Sequence, residues 1–453
     1  MKLYSSNENY KLYQGNMLDM LEVIQPNSID SIITDPPYEL NFMSKGWDNE
    51  GISFQKETWK KCYDVLKDGG YLLAFGGSRT FHRIACAIED AGFEIRDTIM
   101  WLYGSGFPKS LNIGLAVDKK NGIDNRTGNI VQGMASNNTE SLNNHKYETQ
   151  NFKKEYEERK AQNEWRGWGT ALKPSFEPII IARKPFKGSL VDNVIKNGVG
   201  GINIDECRVE PTGEDIGRNN INAKNSPLNS KDGWNNNSMV GIDTTGRFEG
   251  RFPANTMLTY DESDFDEVCG GFPYTKTGDR KKGTPIKQLG VVNEKNCEYL
   301  GNKDYFGDSG SASRYFYCAK ASKRDRDEGL DNQQEQKVND GRQTPIDNAF
   351  QRGETLRRNV HPTVKPTLLM QYLVRLVTPN NGIILDPFNG SGSTGKAVMY
   401  ENKERNKNYK YIGIELTEEY LPISKARIEY VCNLIEKEKK EDKQISIFDE
   451  LES

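Results

Sequence analysis

Two short apolar runs, one near each end of the chain, break off into loops of unusual chemistry, and they restrict the fold to one that both ends build together. Near the N-terminus, Ile32-Ile33-Thr34-Asp35-Pro36-Pro37-Tyr38 reads as a buried strand that stops in a rigid loop carrying an acid and an aromatic ring. Near the other end, Ile383-Ile384-Leu385-Asp386-Pro387-Phe388-Asn389-Gly390-Ser391-Gly392-Ser393-Thr394-Gly395 reads as a second buried strand, then a glycine-rich turn and a helix. Strands apolar on every position belong inside a sheet covered on both faces.

The rest of the pattern agrees. Strand-like runs at 31–34, 71–75 and 98–103 alternate with helical apolar spacing over 53–66 and 79–91, which predicts an α/β unit with a mostly parallel sheet. A polar, Asn-rich insertion follows at 121–165, with a charged helix predicted over 152–163, and strand character returns at 177–183. Residues 186–355 are rich in Gly, Asn, Asp and Ser, with short strand candidates at 201–209, 251–259 and 313–319, and predict an irregular, largely β insertion. The α/β rhythm resumes with a helix over 367–377, a strand at 383–385, a helix after Gly395, a strand at 411–415 and a closing helix over 421–438. This divides the chain into 1–185, an inserted 186–355, a returning 356–438, and a flexible charged tail at 439–453.

At 453 residues the chain is long enough for two or three domains, and its net charge of −4 gives no global sign of a polyanionic partner. The 7 cysteines are scattered without a C-x-x-C pair and there are only 3 histidines, which argues against a zinc site or a disulfide framework and for a reducing compartment. No signal peptide is recognisable, and no apolar run approaches the roughly 20 residues of a membrane span. A soluble, cytoplasmic protein without a metal is expected.

Gly390-x-Gly392-x-x-Gly395, with Glu415 about twenty positions on at a strand end, satisfies the spacing of a dinucleotide-binding turn. It also nearly satisfies a P-loop, but Ala397 stands where magnesium needs a hydroxyl. Pro387 and Phe388 before the first glycine do not suit a backbone pressed against a pyrophosphate. A nucleoside cofactor without phosphates, S-adenosyl-L-methionine, fits better: the glycines admit its methionine portion, Asp386 faces its ammonium group, and Glu415 accepts both ribose hydroxyls. Spacing alone leaves the nicotinamide reading open; the Asp-Pro-Pro-Tyr loop tips the balance.

An exocyclic amino nitrogen conjugated with a nucleobase ring is a poor nucleophile, because its lone pair is delocalised. Two acceptors, the Asp35 carboxylate and the Pro36 carbonyl, would draw its hydrogens out of plane and aim the lone pair at a methyl donor. Pro36 and Pro37 fix that carbonyl's direction, and Tyr38 offers a face for the base. A base inside a duplex cannot reach such a pocket, so it must be flipped out at a cost of a few kcal/mol.

At these residues the chain resembles the site-specific DNA amino-methyltransferases, in the permuted β class where the catalytic loop precedes the recognition region and the cofactor turn comes last. Thr34–Tyr38 is similar to the catalytic motif, Leu66–Leu73 to the helix-to-strand step behind it, and His361-Pro362-Thr363-Val364-Lys365-Pro366 to the segment lying along the methionine moiety. The resemblance implies a Rossmann-like sheet with an inserted target-recognition domain. It implies Asp35, Pro36, Pro37 and Tyr38 as catalytic residues, with His361, Thr363, Lys365, the turn from Asp386 to Gly392 and Glu415 on the cofactor. Where the family usually has Gly-Asp facing the cofactor adenine, this chain has Gly15-Asn16, with Asp19 a turn later. Asp at the head of the loop goes mostly with N6 of adenine, N4 of cytosine being the alternative; a protein or RNA methyltransferase and a non-enzymatic DNA-binding module are further ones.

Duplex DNA is the implied partner. Its contacts are sought in two basic clusters of the insertion, Arg280, Lys281 and Lys282, and Lys320, Lys323, Arg324 and Arg326. Homodimers are common in this branch, although the sequence shows no dimer seam. Gln444-Ile445-Ser446-Ile447-Phe448 resembles the peptide by which bacterial proteins dock on the sliding clamp, and packing of Ile447 and Phe448 on the core is the competing reading.

Overall fold

The computed structural model describes residues 2–40, 51–103, 110–123, 161–209, 251–259, 274–276, 309–311, 317–318, 325–337 and 356–452, with side chains described as far as Glu441 on the last helix. The chain divides into two compact units, Met1–Gly104 with Phe176–Ser453, and Ser105–Ser175. In chain order the elements are β1 (Lys2–Ser6), β2 (Tyr10–Gln14), α1 (Met17–Leu21), β3 (Ile29–Thr34), α2 (Lys56–Val65), β4 (Leu66–Phe75), α3 (Phe81–Asp90), β5 (Glu94–Tyr103), α4 (Ile113–Lys120), β6 (Phe176–Arg183), α5 (Leu190–Asn197), β7 (Thr256–Thr259), β8 (Tyr274–Lys276), β9 (Ser309–Ser311), β10 (Tyr317–Cys318), β11 (Gln336–Lys337), β12 (Leu356–Arg357), α6 (Thr367–Val377), β13 (Ile383–Asp386), α7 (Ser393–Arg405), β14 (Lys410–Glu415) and α8 (Leu421–Glu452).

The larger unit is built on a ten-stranded sheet in the order β1-β2-β14-β13-β3-β4-β6-β5-β7-β10. From β2 through β4 every pairing is parallel, whereas β6 runs antiparallel to both β4 and β5. The main sheet is mostly parallel, as the sequence pattern predicts, with antiparallel pairings at β1-β2, β4-β6 and β6-β5. Glu94 pairs with Arg183 and Leu102 with Phe176, so β5 and β6 form a long hairpin whose intervening residues make the second unit.

Two apolar cores cover the two faces. Neighbouring residues point opposite ways along a strand, so Ile32 and Leu72 pack with α1, α2 and α3 around Met17, Trp59 and Ile84, while Ile33 and Leu73 pack with α6, α7 and α8 around Leu373, Val398 and Ile428. All six positions of β3 are buried, as its unbroken apolar run requires. This is a Rossmann-like α/β arrangement, and β3 and β13 lie at its centre.

The inserted region does not stand apart. Its β7 pairs with β5 and its β10 with β7, so both extend the main sheet. The stretch 201–209 holds a short 3-10 turn instead of a strand, and 313–319 contributes only Tyr317 and Cys318 among the described residues. Most of the helix predicted at 152–163 lies outside the described residues, and 161–163 is not helical. The tail expected to be flexible continues α8 through Glu452; Glu and Lys recur there at helical spacing, as in the Lys437–Glu441 pair. No helix among the described residues is long and apolar enough to cross a membrane.

Asp325, placed by sequence in the recognition region, ties three elements of the core. It accepts hydrogen bonds from the Thr367 backbone N–H at 2.6 Å and from the Thr367 hydroxyl, capping α6 where Pro366 supplies no polar side chain. Its carboxylate also meets the fully buried ammonium of Lys396 at 2.7 Å and lies 3.8 Å from buried Arg427. Without Asp325, Lys396 keeps Glu328 at 2.7 Å, but α6 loses its cap and Arg427 its carboxylate. Asp325→Ala is expected to lower unfolding free energy by about 2–3 kcal/mol in urea titrations of the full chain; a change under about 0.5 kcal/mol would remove Asp325 from the core's support.

Candidate active site

The carboxyl ends of β3 and β13 lie side by side, with Ile384 opposite Ser31 and Leu385 opposite Ile32. In an open α/β sheet the crevice outside adjacent strand ends, where connections diverge, is the place for a ligand. Thr34 closes the junction by donating its hydroxyl to Asp386 Oδ1 at 2.7 Å, across 352 positions of sequence. Thr394 donates to Asp386 Oδ2 at 2.7 Å, and the Phe388 N–H to Oδ1 at 3.1 Å. Asp386 thus holds the turn to β3 through both oxygens. Burial, only partly offset by these bonds, pushes its carboxyl up to about 6.

The glycines of the turn are required by shape. Gly390 has φ +51°, and a Cβ there would lie 2.8 Å from His361 Nε2; Gly392 has φ +74°, and its Cβ would lie 2.6 Å from Ser424 Oγ. His361 is packed edge-on against Tyr420, and burial together with Lys365, Arg326 and Arg427 pushes the imidazole down to about 3, leaving it neutral. Asn389 and Ser391 support the turn from behind. Asn389 receives the Tyr411 hydroxyl and donates to Ser424, while Ser391 receives Arg427.

Glu415 ends β14 beside the turn. One oxygen accepts the Gly390 N–H at 2.7 Å and the other the Thr417 N–H at 2.8 Å. Burial outweighs both bonds and, with Asp386 adding to it, raises the carboxyl to about 7. Asn16, the expected partner of a cofactor adenine, turns its side-chain oxygen to the Leu18 N–H and caps α1. Thr363 sits two residues beyond His361, its backbone N–H directed at Nδ1.

On the β3 side, Asp35 Oδ2 meets Lys365 Nζ at 2.5 Å, while Oδ1 is buried with no hydrogen-bond partner. Lys365 therefore reaches the Asp-Pro-Pro-Tyr loop. It also lies 3.5 Å from Glu177, whose carboxylate takes the Tyr38 hydroxyl at 2.8 Å and the Tyr103 hydroxyl at 3.3 Å. The loop backbone is held as well: Ser53 donates to the Pro37 carbonyl and Thr80 to the Tyr38 carbonyl. None of the described hydrogen bonds uses the Pro36 carbonyl. Burial pushes the Asp35 carboxyl above the usual carboxylate range and Glu177 adds to this, against the pull of Lys365. For Lys365, burial is outweighed by the two acids, and the ammonium is held charged.

Glu177 was missed from sequence, because one acid inside an apolar strand, Phe176-Glu177-Pro178, carries no motif. Of the residues sought for DNA, Arg280, Lys281, Lys282, Lys320, Lys323 and Arg324 lie outside the described residues. Arg326 is described and turns inward, donating to the backbone carbonyls of Asn359 and His361. Its guanidinium fixes the segment leading to Lys365. Among the described residues no group of three His, Cys, Asp or Glu side chains is arranged to hold a metal.

A family model described as DNA methylase matches residues 29–426. The chain belongs to that family. M.HindIII, a type II methyltransferase of Haemophilus influenzae, is 27% identical over 151 residues, which are 32% of this chain and 37% of that protein. M2.MboI of Moraxella bovis is 41% identical over 115 residues, 21% of this chain and 42% of that protein. The chain spans less than half the length of these relatives. Among solved structures, the PvuII DNA methyltransferase, described as cytosine-N4-specific, aligns over 96% of both chains at 13% identity and a TM-score of 0.38. An M1.HpyAVI complex with the methyl donor aligns over 92% of this chain and 99% of that one, at 15% identity and a TM-score of 0.35.

S-adenosyl-L-methionine is the cofactor of this family, and the residues present fit it. Two buried acids, Asp386 and Glu415, have only neutral hydrogen-bond donors as their described polar contacts, an arrangement suited to hydroxyl donors and positive charge. Lys396, which a phosphate site would need at the turn, delivers its charge to Asp325 and Glu328 instead. Ribose hydroxyls donating to Glu415 would favour its ionised form and couple binding to loss of its proton. Cofactor affinity measured by calorimetry is expected to fall as pH drops below about 7, by up to about tenfold per unit. Glu415→Gln is expected to bind more weakly and to flatten that dependence; an unchanged slope would place the titration elsewhere.

Proposed function

We propose that this chain transfers a methyl group from S-adenosyl-L-methionine to the exocyclic amino nitrogen of a nucleobase flipped out of duplex DNA, at N6 of adenine. The observation that carries the reading is the asymmetry of Asp35. One carboxylate oxygen is fixed by Lys365, and the other is buried, polar and unpartnered at the end of a strand abutting the cofactor turn. A buried acceptor without a donor costs about 1–3 kcal/mol, and an incoming N–H removes that cost.

The bound cofactor supplies an electrophilic methyl group on a sulfonium. Asp35 Oδ1 accepts one amino hydrogen and the Pro36 carbonyl the second, which turns the nitrogen lone pair out of conjugation. The ring of Tyr38, anchored through its hydroxyl on Glu177, offers the stacking face that offsets part of the flipping cost. Lys365 keeps Asp35 ionised in a site that would otherwise favour the protonated acid, and Glu177 keeps Lys365 in place. After transfer the amine carries positive charge and gives up its proton to Asp35 or to water. Adenine follows from the acid at the head of the Asp-Pro-Pro-Tyr loop.

Asp35→Ala is expected to lower the single-turnover methylation rate by about 100-fold or more while cofactor affinity stays within a few-fold. Normal turnover by that variant would end the assignment. Since Asp35 must be ionised to accept, and its carboxyl lies above the ordinary range, activity is expected to fall on acidification at a higher pH than a solvated carboxylate would give. Lys365→Met removes the opposing charge and is expected to move that acid limb further up in a pH–rate profile; a limb left in place would exclude Lys365 from setting the Asp35 charge.

A further inference from the structure

The second unit, Ser105–Ser175, carries a surface that the methyl-transfer chemistry does not use. Its described part is α4 and a turn over 161–175, tied together by a dense set of polar contacts. The Ile113 N–H reaches the Trp168 carbonyl at 3.0 Å, and the Leu111 N–H reaches Thr170 Oγ1 at 2.9 Å. The Thr170 N–H reaches Ser110 Oγ, and Asn163 Nδ2 reaches the Gly114 carbonyl, both at 2.9 Å. Gly114 is packed so closely that a Cβ would lie 2.5 Å from that of Ala161 and 2.9 Å from the Trp165 carbonyl. Within the turn, the Trp168 N–H closes on the Trp165 carbonyl at 3.1 Å and Gly167 takes φ +85°. The backbone of Trp165-Arg166-Gly167-Trp168 is therefore held in one shape.

Its side chains nevertheless face outward. Trp165 and Trp168 meet edge to face at 5.4 Å between centroids, yet Trp168 is 61% exposed and Trp165 39%. Leu172 beside them is 92% exposed and Leu111 57%. An aromatic pair that large is normally buried; a rigid pedestal that presents one to solvent has the form of a contact surface. The charge around it identifies the partner. Lys119, Lys120, Arg166 and Lys173 are exposed on this unit, against the single exposed acid Glu164 among its described residues, on a chain whose overall charge is negative. Indole faces stack on nucleobases and cations beside them meet phosphates.

We infer that the Trp165–Trp168 turn, with Arg166 and Lys173, is a DNA-contacting surface on which nucleobases stack. This rests on the DNA methylase reading, and adds a contact surface outside both the catalytic loop and the inserted region.

The test uses the full chain and a fluorescein-labelled single-stranded 30-mer of mixed sequence, whose unpaired bases are free to stack, read by anisotropy, with calorimetric cofactor affinity as the control for folding. Replacing both tryptophans by Ala is expected to weaken DNA binding about tenfold or more while cofactor affinity stays within twofold. Replacing both by Phe, which keeps a stacking face, is expected to restore most of the binding. Arg166→Glu with Lys173→Glu is expected to flatten the dependence of affinity on salt by roughly one unit of slope for each phosphate no longer neutralised. DNA affinity unchanged in the double Ala variant, with cofactor binding retained, would overturn the inference. So would loss of self-association in sedimentation without loss of DNA affinity, since the turn would then serve a second copy of this chain. Neither result touches the parent reading, which stands or falls on methyl transfer by the unaltered chain.

Discussion

Parallel pairing of β3 with β13 is the constraint on which the site depends. Two strands more than 350 residues apart must lie in register before any group of the Asp-Pro-Pro-Tyr loop can meet any group of the glycine-rich turn. Closing a loop of that length costs about 5 kcal/mol in chain entropy, because the cost grows only with the logarithm of length. Fully burying Ile32, Ile33, Ile384 and Leu385 contributes about 1.5–3 kcal/mol each, so the pairing is favourable despite its span. Thr34 then joins Asp386, and Lys365 reaches Asp35.

The buried acids around this junction are treated in three ways, and their proton affinities follow. Asp325 faces Lys396 and Arg427, and although burial pushes the other way, Lys396 and the two hydrogen bonds from Thr367 hold it below the usual carboxylate range. Asp386 and Glu415 receive only hydroxyl and amide donors and are held above it. Asp35 stands between, raised by burial but opposed by Lys365. The acid that supports structure is fully compensated, and those at the ligand crevice are not. On the proposed reading, a cationic cofactor and an amino group would bring the compensation with them, linking binding to ionisation at this site.

Much of this was legible in the sequence because it rests on short, contiguous patterns. The apolar run before Asp35 predicted a doubly covered strand, and the order of glycines after Asp386 predicted a turn into a helix. Both are local consequences of side-chain period and backbone freedom. What escaped detection was relational. Glu177 acts only because an antiparallel β6 carries it beside β4, and a strand's direction leaves no mark on its composition. Asp325 lies in a polar stretch that resembled loop, and its importance comes from the Lys396, Arg427 and Thr367 that the fold brings to it. Arg326, one of a basic cluster in sequence, is also seen to satisfy the Asn359 and His361 carbonyls, and Asn16 to cap a helix, local roles that the motifs did not predict.

The chemistry proposed for the site comes down to one encounter: the oxygen left bare on Asp35, together with the Pro36 carbonyl, receives a base's amino group. The decisive measurement incubates the full chain with a methylation-free bacterial DNA and methyl-deuterated S-adenosyl-L-methionine, then digests the DNA to nucleosides for mass spectrometry. Label is expected in N6-methyldeoxyadenosine and in no other nucleoside. Label in N4-methyldeoxycytidine would overturn the choice of base, and label confined to protein, or found nowhere, would overturn the reading of the site itself.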